Sequence, residues 1–157
     1  MLLNMRDAVI FDMDGTLCDV SSVRHFIERE SIEGASIEGD KRDFDAFHAG
    51  AIDCPPHAHV VDAVAEAREA GKAVVVVTAR PSKWRDYTIM WLDKHQIAYD
   101  RLYMRFEADF RHDYLIKADI LKSIRKDGFE PTHAWDDSPK VIELWRENGI
   151  EVTEVSR

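Results

Sequence analysis

The sequence has little of what would tie it to a membrane, an oxidising compartment or the backbone of long nucleic acid. Its longest apolar run, AVVVV at 73–77, is far too short to span a bilayer, and the leading MLLNMR is too short for the hydrophobic region of a signal peptide. The chain is therefore expected to be soluble. It has only two cysteines, Cys18 and Cys54, with neither a metal-type C-x-x-C spacing nor a disulfide framework, which favours a reducing interior, the cytoplasm, as its compartment and leaves a single disulfide open. Basic excess is missing too. With a formal charge of −9 the molecule lacks the broad cationic face that displaces counterions from long nucleic acid, although a local basic pocket can still grip one phosphate or one strand end. Repeats, low-complexity segments and composition shifts are absent, so 157 residues with 45% hydrophobic content predict one ordinary domain, 1–157.

What the sequence does have is alternation. Short β-branched runs at 8–12 (AVIFD), 73–78 (AVVVVT), 101–104 (RLYM), 133–135 (HAW) and 150–155 (IEVTEV) are separated by helical patterns. Pro55 and Pro56 open a helix closed by Gly71, and Ser138 with Pro139 open one closed by Gly149. Two more are predicted over 82–95 and 113–126. Right-handed crossovers then give a doubly wound α/β sandwich of three layers around a parallel sheet, with the first strand near its centre. One segment breaks the rhythm. Between 18 and 54 lie short helical patterns, SVRHFIERE and RDFDAFH, separated by Gly34 and Gly39 in polar sequence, as expected of a small insertion that partly covers the site or merely connects.

Ligands in such sheets sit outside the carboxyl ends of the strands. There the sequence places Asp12 and Asp14 after the first strand, Thr78 and Arg80 after the second, and Asp136 and Asp137 after the fourth. Four carboxylates brought together repel one another unless a cation neutralises them, and oxygen-only ligands suit a hard divalent ion, Mg²⁺ where phosphate also binds. In that setting Asp12 can attack phosphorus, while Asp14 handles the proton of the leaving oxygen and then of the hydrolytic water. Gly15 allows a sharp turn with backbone amides facing the phosphate. Lys117 falls on a helical wheel inside the apolar arc of Ile116, Ile120, Leu121 and Ile124, so it either reaches a phosphate or catalytic carboxylate or snorkels out of a core face.

At these residues the sequence resembles the haloacid dehalogenase superfamily of phosphoryl-transfer enzymes: FDMDGT matches its first motif, Thr78 the second, Lys117 the third and WDDS the fourth, in order along essentially the whole chain. The resemblance implies the strand order 3-2-1-4-5, Asp12 as nucleophile, Asp14 as acid/base, and Thr78, Ala79 and Lys117 as phosphate ligands. It also implies Mg²⁺ held by Asp12, the Asp14 backbone, Asp136 and Asp137. The dehalogenase branch lacks the second aspartate of the first motif, so Asp14 favours a phosphatase. MRFEADFRHDYLIK, at 104–117, is similar to the segment before the third-motif lysine in the 3′-phosphatase half of bacteriophage polynucleotide kinase/phosphatase, with Arg105, Asp109, Arg111, Asp113 and Lys117 in step and Arg80 matching that family's arginine. VIELWRENGIEV resembles it as well. No G-x-x-x-x-G-K-[ST] loop is present, which predicts that the kinase half is absent.

The resulting expectation is a Mg²⁺-dependent phosphomonoesterase working through an aspartyl phosphate on a nucleic-acid 3′-phosphate end. Its rivals are a phosphatase of small nucleotides or metabolites and a response-regulator-like phosphoacceptor module. Arg80, Arg105 and Arg111 are read as phosphate clamps, against the alternative of solvated ion pairs with Asp109 and Asp113. His57 and His59 read as an exposed pair rather than a metal site. Trp84, Trp91, Trp135 and Trp145 read as packing residues, Trp84 alone standing where a base could also stack. Lys41, Arg42, Phe44 and Phe47 lie where a base and a phosphate could meet, or where the insertion docks on the sheet.

Overall fold

The computed structural model describes residues 4–28 and 42–156. Gly34, Gly39, Lys41 and the end of the SVRHFIERE pattern lie outside them, so the insertion at 18–54 is described only at its two flanks. Five strands, β1 (Arg6–Asp12), β2 (Ala73–Pro81), β3 (Arg101–Arg105), β4 (Phe129–Asp136) and β5 (Glu151–Glu154), form one sheet in the order β3-β2-β1-β4-β5. Every neighbouring pair is parallel, and β1 lies in the middle, as the alternation predicts.

The sheet is apolar on both faces because helices cover both. From β1 and β2, Ala8, Ile10, Ala73, Val75 and Val77 pack with α4 (Asp113–Lys126) and α5 (Pro139–Glu147). The alternate residues Val9, Phe11, Val74 and Val76 face α2 (Ala58–Glu69) and α3 (Arg85–Lys94). Each buried Val or Ile of this kind contributes roughly 1.5–3 kcal/mol. The helix α1 (Phe44–Ala51) lies in the 18–54 segment and joins the second core through Phe47 and Ala51. Among the described residues no helix is long and apolar enough to cross a membrane.

Two elements depart from the sequence reading. The fourth strand starts at Phe129 rather than at His133; Pro131, which has no N–H to give a ladder, stands beside a bulge in β4, where Ala8 pairs with Pro131 and Val9 with His133, leaving Thr132 over. The helix predicted over 82–95 is a 3-10 turn (Ser82–Trp84) followed by α3.

Candidate active site

Asp12 is the last residue of β1 and Asp136 the last of β4, so pairing of adjacent parallel strands sets their carboxylates side by side. Asp12, Asp136 and Asp137 are all buried, and each offers an oxygen within 4.8 Å of the others. Lys117 is 2% exposed, and its ammonium reaches down from α4 to donate to Asp12 Oδ1 at 2.9 Å and Asp136 Oδ2 at 3.0 Å. The two ion pairs settle the choice that its place on the apolar arc left open. Burial alone would strip the Lys117 proton, but Asp12 and Asp136 outweigh it and raise its pKa.

Asp12 is pushed the other way. Burial, then the negative charges of Asp136 and Asp137, raise its carboxyl well above the ordinary carboxylate range, with Lys117 opposing. Thr16 Oγ1 donates to Asp12 Oδ2 at 3.0 Å and lies 3.5 Å from Asp137 Oδ1. Asp136 is fixed from its other side: Oδ1 accepts the amides of Asp137 and Ser138 at 2.9 and 3.0 Å, and Oδ2 accepts the Trp145 indole N–H at 3.3 Å. These bonds order the turn that leads into α5, whose N-cap residue, Ser138, makes no capping bond with its side chain.

Gly15 has φ +84, and a Cβ there would collide with the Asp137 carboxylate. Its amide donates to Cys18 O at 2.9 Å, so glycine serves here as a turn that lets Asp137 approach the β1 loop. These three carboxylates offer hard oxygen donors within 4.8 Å of one another and could hold a metal ion, a donor set that suits Mg²⁺.

Asp14 stands apart from that cluster, in the grip of Arg80. Nη2 donates to Oδ1 at 2.6 Å, and Nε lies 3.2 and 3.0 Å from the two oxygens. Burial would raise the Asp14 carboxyl, but the guanidinium outweighs it and holds it below its usual value. Arg80 is 4% exposed and gives its remaining edge to Thr88 Oγ1 at 3.0 Å. Thr78 is buried, with Oγ1 accepting the Arg80 amide at 3.1 Å; Ala79, next to it, offers its carbonyl to Arg105 Nε at 2.8 Å.

The other two arginines bond to groups outside the Asp12, Asp136 and Asp137 cluster, as the ion-pair alternative expects. Arg105 donates to the carbonyls of Ala79, Asp109 and Arg111 and to the Asp113 carboxylate, which closes the loop 106–112 on itself. Arg111 pairs with Asp109 and Asp119 at 2.8 and 2.7 Å.

Three contributors escaped the sequence reading. Thr16 stands inside FDMDGT, so its hydroxyl was available to be found. His57 is half-buried, and its Nδ1 meets Thr16 O at 2.7 Å, bracing the β1 loop from the start of α2; nothing in PPHAH signals that contact. Trp145 packs as expected, and also donates to Asp136.

The family described as the polynucleotide kinase PNKP phosphatase domain matches residues 31–157, a span that holds Thr78, Lys117, Asp136 and Asp137 and begins after Asp12 and Asp14. No curated protein matches the chain. Among solved structures, a chain of the Pnkp1/Rnl/Hen1 complex is 25% identical with a TM-score of 0.76, over 97% of this chain and 46% of its own length. A chain of the Pnkp1/Rnl/Hen1 RNA repair complex is also 25% identical, with a TM-score of 0.74 over 97% of this chain and 43% of that one. This chain therefore spans less than half the length of either. CbbY from Rhodobacter sphaeroides, in complex with xylulose-(1,5)bisphosphate, shares the fold at 16% identity and a TM-score of 0.61, over 98% of this chain and 89% of its own.

Proposed function

Since this chain belongs to the family of polynucleotide kinase PNKP phosphatase domains and is a phosphatase, we propose that it removes 3′-phosphates from nucleic-acid ends through an aspartyl phosphate on Asp12. The observation that carries the reading is the junction of Asp12, Asp136 and Lys117, with Asp137 beside it, at the carboxyl edge of the sheet. The whole chain, 1–157, is read as one phosphatase domain with a cap-like insertion at 18–54. The strand-end substrate is supported by the family match and by similarity to a chain of an RNA repair complex.

In this mechanism Asp12 attacks the phosphorus and the bond to the 3′ oxygen breaks. Asp12, Asp136, Asp137 and the Asp14 backbone would hold Mg²⁺, which when bound screens the phosphoryl oxygens from the attacking carboxylate. Lys117 steadies Asp12 and supplies positive charge to the transferring group, with the Thr78 hydroxyl and Ala79 amide as further donors. Asp14 protonates the departing oxygen and later takes the proton of the water that hydrolyses the phosphoenzyme. Arg80 positions Asp14 and, by its charge, favours the ionised carboxylate, the form that accepts a proton.

The test is a comparison of substrates. With Mg²⁺, a 3′-phosphorylated oligonucleotide should be hydrolysed at least about tenfold more efficiently than the matching nucleoside 3′-phosphate or a sugar phosphate. Equal or reversed efficiencies would defeat the strand-end substrate while leaving a phosphatase of small phosphates.

A further inference from the structure

Beside the Asp14–Arg80 pair the insertion and the β2–α3 connection build a ridge of aromatic rings that the chemistry leaves unused. Phe44 and His48 come from α1, Trp84 from the 3-10 turn and Tyr87 from α3. Successive ring centroids lie 6.4, 5.6 and 5.5 Å apart along Phe44, His48, Trp84 and Tyr87. The ridge is continuous with the reaction centre: Arg80 bonds Thr88 Oγ1, which in turn donates to the Trp84 carbonyl at 2.9 Å, and the charges of Asp14 and Arg80 both reach His48.

Its outer surface is apolar where packing would hide it, with Phe44 44%, Tyr87 47% and Met90 56% exposed. Two cations ride on it. The Arg42 guanidinium carbon lies 5.2 Å from the Phe44 ring centroid, and the Lys83 ammonium 5.6 Å from that of Trp84 while also pairing with Asp45 at 2.9 Å. Inside it, His48 Nδ1 and Trp84 Nε1 have no hydrogen-bond partner; among the described residues only one other buried side-chain polar atom is in that state. Rings with unsatisfied nitrogens and exposed faces are poor packing, and rings flanked by cations one step from a phosphate site are what single-stranded nucleic acid needs.

Taking the strand-end reading of the active site as its basis, we infer that the ridge of Phe44, Trp84 and Tyr87 stacks the bases of the last two nucleotides of the substrate strand, with Arg42 and Lys83 tracking the phosphate between them. Stacking reads no sequence, so the inference predicts tolerance of any terminal base together with a demand that a base be present.

The test is a cycle of two changes: removal of the last two bases from a 3′-phosphorylated oligonucleotide, and Trp84→Leu or, further from the core, Tyr87→Leu. In the unaltered protein the abasic end should lower kcat/KM by at least about 5-fold, the lower limit for one lost stack. In either variant that abasic penalty should shrink by at least about threefold, because the partner of the base is gone. A full penalty in both variants would overturn the inference, as would an abasic penalty under about twofold in the unaltered protein with its oligonucleotide preference intact, an outcome that assigns the ridge to a protein partner. If the unaltered protein shows no preference for oligonucleotides over mononucleotides, the strand-end substrate itself fails, and the ridge loses its occupant with it.

Discussion

A buried lysine between two aspartates organises the site at the residue scale. Lys117 is held charged by Asp12 and Asp136, and replacing it by methionine would leave their carboxylates facing each other without an answer. Lys117→Met should lower metal-free stability by about 3–5 kcal/mol in urea unfolding, the cost typical of breaking a buried ion pair by removing one partner. Asp12→Asn should act oppositely on stability. The raised Asp12 pKa means that its charge is disfavoured where it stands, so the neutral amide should raise the melting temperature of the metal-free protein, while turnover falls by at least about 10³-fold. His48 gives a pH signature. Burial first, with Arg80 adding to it, lowers its pKa to about 4, so the folded state resists the proton that the unfolded chain takes up. The linkage therefore stabilises the protein fully above pH ~6.5 and is lost as pH falls from there toward 4. His48→Phe should lose less melting temperature than the unaltered protein between pH 7.5 and 5, a difference on the order of 2 kcal/mol. Lys117 was legible because a cation on an apolar arc demands an anion. His48 was not, since its burial depends on Trp84 arriving from another part of the chain.

At the scale of elements, parallel pairing turns sequence order into a site. β1 and β4 end on Asp12 and Asp136, and β2 has its run of six buried residues end at Thr78, so three strands bring these side chains to one edge. That much follows from β-branched runs and crossover handedness. Pro131 hid the start of β4, because a proline in a run argues against a central strand, and here it stands beside a bulge at Thr132 of β4. The β3–α4 loop was legible as a motif but not as a structure. Arg105 spends its donors on the carbonyls of Ala79, Asp109 and Arg111, which a sequence cannot show. Arg105→Met should therefore cost about 1–3 kcal/mol and speed amide hydrogen exchange across 106–112, with a smaller effect on α4.

For the whole molecule, a chain with a formal charge of −9 keeps Lys117 and Arg80 buried in ion pairs with aspartates at the strand ends, and holds Arg42 and Lys83 over aromatic rings. The same balance predicts a response to metal. A divalent ion bound only by the folded state should stabilise it by about 2.7 kcal/mol at a hundred times its Kd, so millimolar Mg²⁺ should raise the melting temperature, and Asp136→Asn should blunt that rise. The central claim, that the first-strand aspartate carries the phosphoryl group during turnover, is tested most directly by mixing protein, Mg²⁺ and a 3′-phosphorylated oligonucleotide, quenching within one turnover, reducing with borohydride and mapping the modified peptide by mass spectrometry. The account predicts reduction of an acyl phosphate at Asp12 alone, transient and coupled to released phosphate. Continued turnover with no modification at Asp12, or a phosphoprotein that accumulates one-to-one and never discharges, would contradict it.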